Sequence, residues 1–295
     1  MARIVVIGPG SIGGYFAVEA ARNGHELVLC SRSPFAQLSV QQLDGSTRVL
    51  DVAARTDPAT AIEGDWVWLA TKAQQTDAAA EWLRRSCGRR TQAVVVMQNG
   101  VEHEARVRAY IRDTPVLPAI VLCGAEAIAP GRVVHHGFAN LEVPTGALAT
   151  DLAAIFAGTD AHVIGTDDFT TVMWRKLVSN VTASVMTALT LQRLAVMRRP
   201  DIQALAIGLA RECLAVGKAA GARLDTAMAE PMVLGMASAN PAMGSSMLYD
   251  RLAKRPMEHE ALTGAVVRGG ALYRIDTPLN AAMLAMLSAV SESGS

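Results

Sequence analysis

Aromatic side chains, excess charge and cysteine are all scarce in this 295-residue chain. Aromatic residues make up 4%, too few for a platform on which nucleic-acid bases stack. Lys and Arg number 27 and Asp and Glu number 27, so the formal net charge is zero. An electrostatic nucleic-acid binder needs a basic excess, which is missing here. The four cysteines, Cys30, Cys87, Cys123 and Cys213, are widely spaced and form no C-x-x-C pair. That pattern argues against a disulfide scaffold or a structural metal site and predicts reduced, mostly buried thiols in a cytoplasmic protein. Long apolar runs are missing too: none approaches the ~18 residues that a membrane helix needs. The run Ile4–Ile7 behind Met1-Ala2-Arg3 is too short for the core of a signal peptide, so no membrane partner is expected.

Aliphatic residues, by contrast, are abundant. Hydrophobic residues make up 51% and charged residues 18%, which excludes a disordered chain. At roughly 100–200 residues per domain, the length suggests about two domains. The first half alternates short strands with helices. Ile4–Ile7, Glu26–Cys30, Trp66–Ala70, Ala93–Met97 and Val116–Leu122 read as buried strands, and 12–23 and 74–85 read as helices. Gly24 stands where a helix C-terminus needs it. Strands separated by helices imply parallel pairing through right-handed crossovers, with helices on both faces. After about Gly165 the strand-like runs stop, and helices are predicted over 170–194, 201–220, 241–253, 257–274 and 278–290. The expected fold is therefore α/β. A doubly wound parallel sheet of the Rossmann type fills 1–165, and an all-helical domain fills 166–295.

Gly8-Pro9-Gly10-Ser11-Ile12-Gly13 fits G-x-G-x-x-G between a strand and a helix. Gly8 permits the tight turn, Gly10 lets the backbone approach a pyrophosphate, and Gly13 lets helix and strand pack closely. The helix N-terminus offers free N–H groups to phosphate. A dinucleotide site is the reading this context supports; a ligand-free tight turn and a methyltransferase nucleotide pocket are its alternatives. The second strand ends in Cys30-Ser31-Arg32-Ser33, without the acid that usually meets a ribose 2′-hydroxyl. Arg32 instead suits a 2′-phosphate, so NADP is expected over NAD, the plainer reading being a solvated arginine. Lys72 follows the third strand and is expected near the same strand ends, facing phosphate, unless it is an ordinary loop lysine.

In the second half, Lys176 and Asn180 are four residues apart and Ser184 follows one turn later, a spacing that places all three on one helix face. Such a stripe is commonly solvated, but Val178, Val181, Val185 and Met186 around it predict a largely buried helix. A lysine in that setting is a candidate proton donor. Ser246 lies near a helix start and is either a cap or a ligand-binding hydroxyl. Glu258 follows Pro256 in another first turn, where a carboxylate also suits the helix dipole.

Together these segments resemble the ketopantoate reductase (2-dehydropantoate 2-reductase) family along essentially the whole chain. The likeness is carried by the glycine loop, Thr71-Lys72-Ala73, Gln98-Asn99-Gly100, Trp174-Arg175-Lys176-Leu177 with Asn180, Ser245-Ser246-Met247 with Asp250, and Glu258. The resemblance implies NADPH-dependent reduction of a 2-oxo acid, 2-dehydropantoate to pantoate, in pantothenate and coenzyme A biosynthesis. It implies Lys176 as general acid and Glu258 as its support and a substrate contact. It places Asn99 between nicotinamide and substrate, and Asn180, Ser184 and Ser246 at the substrate. It also departs from the family at three places. Ser184 stands where a second Asn is usual, Thr263 precedes Gly264 in place of Asn, and Met243 replaces an Asn before Ser246. The hydride-transfer residues are kept while the substrate amides are thinned, which leaves a paralogue reducing a different 2-oxo acid or ketone as the alternative. A non-catalytic NADP-binding sensor is the alternative of another class, and retention of Lys176 and Glu258 argues against it. The apolar helices of the second domain point to a homodimer formed through it.

Overall fold

The computed structural model describes residues 1–292. The chain forms two compact units, one of Met1–Asn99 with His103–Phe169, the other of Gly100–Glu102 with Thr170 onward.

The first unit runs β1 (Arg3–Ile7), α1 (Ser11–Ala21), β2 (Glu26–Cys30), β3 (Leu38–Gln41), β4 (Thr47–Leu50), β5 (Trp66–Leu69), α2 (Ala80–Ser86), β6 (Ala93–Val96), α3 (His103–Arg108) and β7 (Val116–Pro118). It continues through β8 (Ile120–Ala129), β9 (Arg132–Pro144), α4 (Ala147–Ile155) and β10 (His162–Thr166). One sheet has the order β2-β1-β5-β6-β7, and every neighbouring pair is parallel. Its strands read as unbroken apolar runs because both faces are buried. Ile4, Val6, Leu29, Trp68 and Val95 face one core, while Val5, Ile7, Leu69, Val94 and Val96 face the other, against Trp82 and Leu83 of α2 and Val107 of α3.

Sequence reasoning missed what lies beyond α1. A second sheet, ordered β10-β9-β3-β4 with β8 paired to β9, packs on that helix. Helix α1 is therefore enclosed, with Gly13 through Ala20 buried, which explains why it is apolar on all sides. The one buried charge on it, Glu19, bonds to Arg22 (2.7 Å) and to Arg48 of β4, and both arginines also reach Asp160. The strand expected over 116–122 proves to be two. β7 ends at Pro118 on the edge of the first sheet, where a missing N–H is tolerated, and β8 belongs to the second sheet. The helix expected from Gln74 starts only at Ala80, after two short 3₁₀ turns.

The second unit has no strand among its described residues. It consists of α5 (Phe169–Ser179), one π-helical turn (Asn180–Ser184), α6 (Val185–Thr190), α7 (Pro200–Ala219), α8 (Ala229–Ser238), α9 (Ser246–Leu252), α10 (His259–Tyr273) and α11 (Pro278–Glu292). The helix expected over 170–194 is thus interrupted, and it stops at Thr190, where Leu191 turns left-handed (φ 56°). The helix expected from 241 begins at Ser246, and α8 was not foreseen.

Gly13 and Gly10 separate packing from openness. A Cβ on Gly13 would lie 2.5 Å from the Gly8 carbonyl oxygen and 2.9 Å from Ala70 Cβ; one on Gly10 would meet nothing within 4 Å. Gly13→Ala is expected to lower stability by about 1–3 kcal/mol through overpacking, while Gly10→Ala stays within about 1 kcal/mol. Urea denaturation of the two variants checks this, and equal losses would contradict the packing account.

Candidate active site

Because the first sheet is parallel, the loops leaving β1, β2, β5 and β6 emerge at its carboxyl edge. The strand order reverses between β1 and β5, and such a switch point is where open α/β sheets bind ligands. The loop after β1 is tightly turned there. Gly8 donates to the Cys30 carbonyl (2.9 Å), Gly10 donates back to the Gly8 carbonyl (2.8 Å), and Gly8 has φ +87°. A Cβ on Gly8 would lie 2.7–3.0 Å from Thr71, so the loops after β1 and β5 touch. Pro9 is buried beneath the turn, and Ser11 and Ile12, half-buried, open α1. Gly10 is the exposed N-cap of α1, and no side chain caps it. An uncapped helix terminus beneath open space is what a pyrophosphate requires, so these residues fit a dinucleotide.

Arg32 follows β2 and is exposed. Its turn is fixed on both sides: Ser31 N–H donates to the Arg55 carbonyl (2.9 Å), and Ser33 N–H donates to Ser31 Oγ (3.2 Å). Lys72, half-buried, follows β5 in extended backbone ahead of the first 3₁₀ turn. Asn99, half-buried, follows β6, with Gly100 turning the chain behind it (φ +103°). The Asn99 carbonyl accepts from Arg106 (3.2 Å). His103 Nε2 lies 2.9 Å from the Gln98 carbonyl, so that nitrogen must carry the proton and donate. Burial, then the nearby Arg106 charge, lowers the His103 pKa to about 4, which keeps the ring neutral. The set Gly8–Gly13, Arg32, Lys72 and Asn99 is therefore gathered along one sheet edge.

The second unit carries Lys176, Asn180, Ser184, Ser246 and Glu258. Lys176 is half-buried on α5, flanked by the buried Trp174, Leu177 and Val178. Asn180 and Ser184 begin and end the π turn, and both are buried. The uninterrupted α-helix behind the expected i, i+4 stripe is replaced by α5 as far as Ser179 and a wider turn from Asn180 to Ser184. Local hydroxyls support the wide turn: Thr182 Oγ1 donates to the Val178 carbonyl (2.7 Å), and Thr187 Oγ1 donates to the Ala183 carbonyl (2.8 Å). Helices α7, α8, α9 and α10 all pack against it, so Asn180 and Ser184 sit at the hub of this unit.

Glu258 is the N-cap residue of α10 and is buried at 3% exposure, yet its carboxyl group does not cap the helix. Its place at the head of α10 also suits the helix dipole. Ser245, not Ser246, caps α9: its Oγ accepts from Leu248 N–H (3.1 Å) and pairs with Thr187 Oγ1 (2.7 Å). Ser246, exposed beside the buried Met247 and Leu248, is thereby released from capping. Among the departures from the family pattern, Met243 is exposed, and Thr263 is fully buried with an Oγ1 that has no hydrogen-bond partner. Sequence reasoning quoted Gln98 only within Gln98-Asn99-Gly100 and missed Arg106 of α3; for Gln98, a polar residue just past a strand end was the only further signal.

The model of the family "Ketopantoate reductase PanE/ApbA" matches residues 4–147, and that of its C-terminal domain matches residues 168–291. The chain is 39% identical over 290 residues to a 2-dehydropantoate 2-reductase of Mycobacterium tuberculosis, covering 98% of each. It is 36% identical to one from Caulobacter vibrioides, covering 99% of this chain and 100% of the relative. Among solved structures, a ketopantoate reductase of Ralstonia eutropha superposes with a TM-score of 0.89 at 26% identity, covering 99% of both chains. A Staphylococcus aureus ketopantoate reductase described as dimeric gives 0.88 at 22% identity over 99% of this chain and 100% of that one. With both domain models matching in order, and relatives this similar from end to end, the chain belongs to the ketopantoate reductase family.

Proposed function

We propose that the chain, an NADP-dependent oxidoreductase, reduces 2-dehydropantoate to pantoate with Lys176 as the general acid. The observation that carries the coenzyme half is the open, uncapped N-terminus of α1 above Gly10, with Arg32 where an NAD site would hold an acid. The bound coenzyme supplies a hydride to the substrate's carbonyl carbon. As charge develops on the carbonyl oxygen, Lys176 Nζ stabilises it and passes a proton to it, giving the alcohol. Glu258, an acid buried at the head of α10, holds that ammonium group and meets a substrate hydroxyl. Asn99 sits at the junction of nicotinamide and substrate, and Asn180, Ser184 and Ser246 bind the substrate's polar ends. Gly8, Pro9, Gly10, Ser11, Ile12 and Gly13 cradle the pyrophosphate, Lys72 faces the phosphates, and Arg32 takes the 2′-phosphate.

The exposed Met243 and the partnerless Thr263 hydroxyl favour a second reading, a paralogue acting on another 2-oxo acid. A site short of amides discriminates less against substrates that lack the matching polar groups. The assembly we expect is a homodimer through the second unit. Helix α11 supports it, because only Asn280 and Leu287 of this apolar helix are buried. The four cysteines are unpaired, which suits work in the cytoplasm.

NADPH oxidation followed at 340 nm, with 2-dehydropantoate beside a panel of 2-oxo acids, tests the reaction. Lys176→Ala is expected to lower kcat by ~10²–10⁴-fold, with NADPH affinity retained; unchanged kcat would refute the general-acid role. Arg32→Ala should weaken NADPH binding at least tenfold more than NADH binding, since only the former carries the 2′-phosphate that a charged hydrogen bond can hold, an interaction worth about 1.5–3 kcal/mol. Equal loss for both coenzymes removes Arg32 from that role. Light scattering that finds only monomer at micromolar concentration would overturn the dimer.

A further inference from the structure

Gln98 is 3% exposed, and its amide bridges two loops of the coenzyme edge. Its Nε2 lies 3.0 Å from Thr71 Oγ1, 2.9 Å from Thr76 Oγ1 and 3.3 Å from the Lys72 carbonyl. Its Oε1 accepts from Arg106 Nη1 (3.1 Å). The amide can face only one way. A guanidinium has no acceptor, so the side that meets Arg106 must be the oxygen, and the NH₂ group must face the loop after β5. Thr76 spends its own proton on the Ala73 carbonyl (2.8 Å), leaving its oxygen to accept from Gln98. The backbone of Gln98 is held as well, by His103 on its carbonyl. Arg106 reaches both the Gln98 side chain and the Asn99 carbonyl through the same nitrogen.

We propose that Gln98 is a positioning residue that joins the loop bearing Lys72 to the loop bearing Asn99, so that the coenzyme meets both as one preformed surface. The proposal rests on the coenzyme reading above. Neither loop is an element of regular structure, and a ligand that had to order them separately would lose affinity to that ordering. The buried amide performs the ordering in advance. Its polar groups have partners only while the two loops stay in register, which makes slippage costly.

The full-length protein is titrated with NADPH, without substrate, as wild type, Gln98→Met, Thr71→Val, Thr71→Ser and the double variant Gln98→Met/Thr71→Val. Gln98→Met keeps the length of the side chain and removes both ends of the bridge. Its Kd for NADPH is expected to rise about tenfold, the loss of one to two net hydrogen bonds. KM for 2-dehydropantoate at saturating NADPH should stay within about twofold. Thr71→Val should raise Kd in the same direction, Thr71→Ser should restore it, and the double variant should be no worse than the more damaging single variant. A Gln98→Met protein that folds and binds NADPH within twofold of wild type overturns the proposal, as does full additivity in the double variant. Should Gln98→Met fail to fold, the Thr71 pair decides: equal affinity in Thr71→Val and Thr71→Ser overturns it. Wild-type protein that binds NADPH but reduces no 2-oxo acid refutes the reaction and leaves this titration to decide Gln98 by itself.

Discussion

All five strands of the first sheet run the same way, so each loop that leaves a carboxyl end emerges along a single edge. Much of the coenzyme side follows from that constraint. Residues far apart in sequence, such as Gly10, Arg32, Lys72 and Asn99, need no long-range attraction to be gathered; the direction of pairing gathers them. The constraint has a cost at β1, whose following helix must start almost on top of the strand. Gly13 against the Gly8 carbonyl and Ala70 is where that closeness is met. The second sheet then encloses α1 from the other side, so the helix whose amino end opens at that edge is fixed along its length.

The coenzyme half was legible in the sequence for a physical reason. Parallel strands buried on both faces are short unbroken runs of Val, Ile, Leu and Trp, and Gly8–Gly13 has few other uses between a strand and a helix. The second sheet was not legible. β4 (Thr47–Leu50) has no fully buried residue, β3 is buried at only two of its four positions, and β8 of the long β8–β9 hairpin has a single buried residue and is bulged against its partner. Such strands draw their stability from partners that a single sequence does not reveal. The capping serine was misplaced by one residue, because Ser245 and Ser246 are chemically identical until the backbone shows which of them stands outside the helix.

In the second unit the helical character of the segment carrying Lys176, Asn180 and Ser184 was legible and its local geometry was not. Lys176, Asn180 and Ser184 have the spacing of an α-helical stripe, and nothing in their chemistry announces a π turn. The turn owes its stability to context. Hydroxyls of Thr182 and Thr187 bind the carbonyls around it, and four helices close over it. The same hub accounts for the burial of Asn180 and Ser184 in a unit whose core is largely aliphatic.

The π turn also has a genealogical consequence. A wide turn of this kind is an α-helix that has accepted one surplus residue. Losing a single codon between positions 180 and 184 would restore a regular helix and leave Val185 and everything after it facing nearly as before, because a π turn closes the same circle as an α turn with about one residue more. The buried faces of α6 would keep their neighbours, and the change would fall on the turn itself, on how Asn180 and Ser184 are presented. Among descendants of this chain, a one-residue change of length in this turn should therefore spare the fold and alter the turn alone.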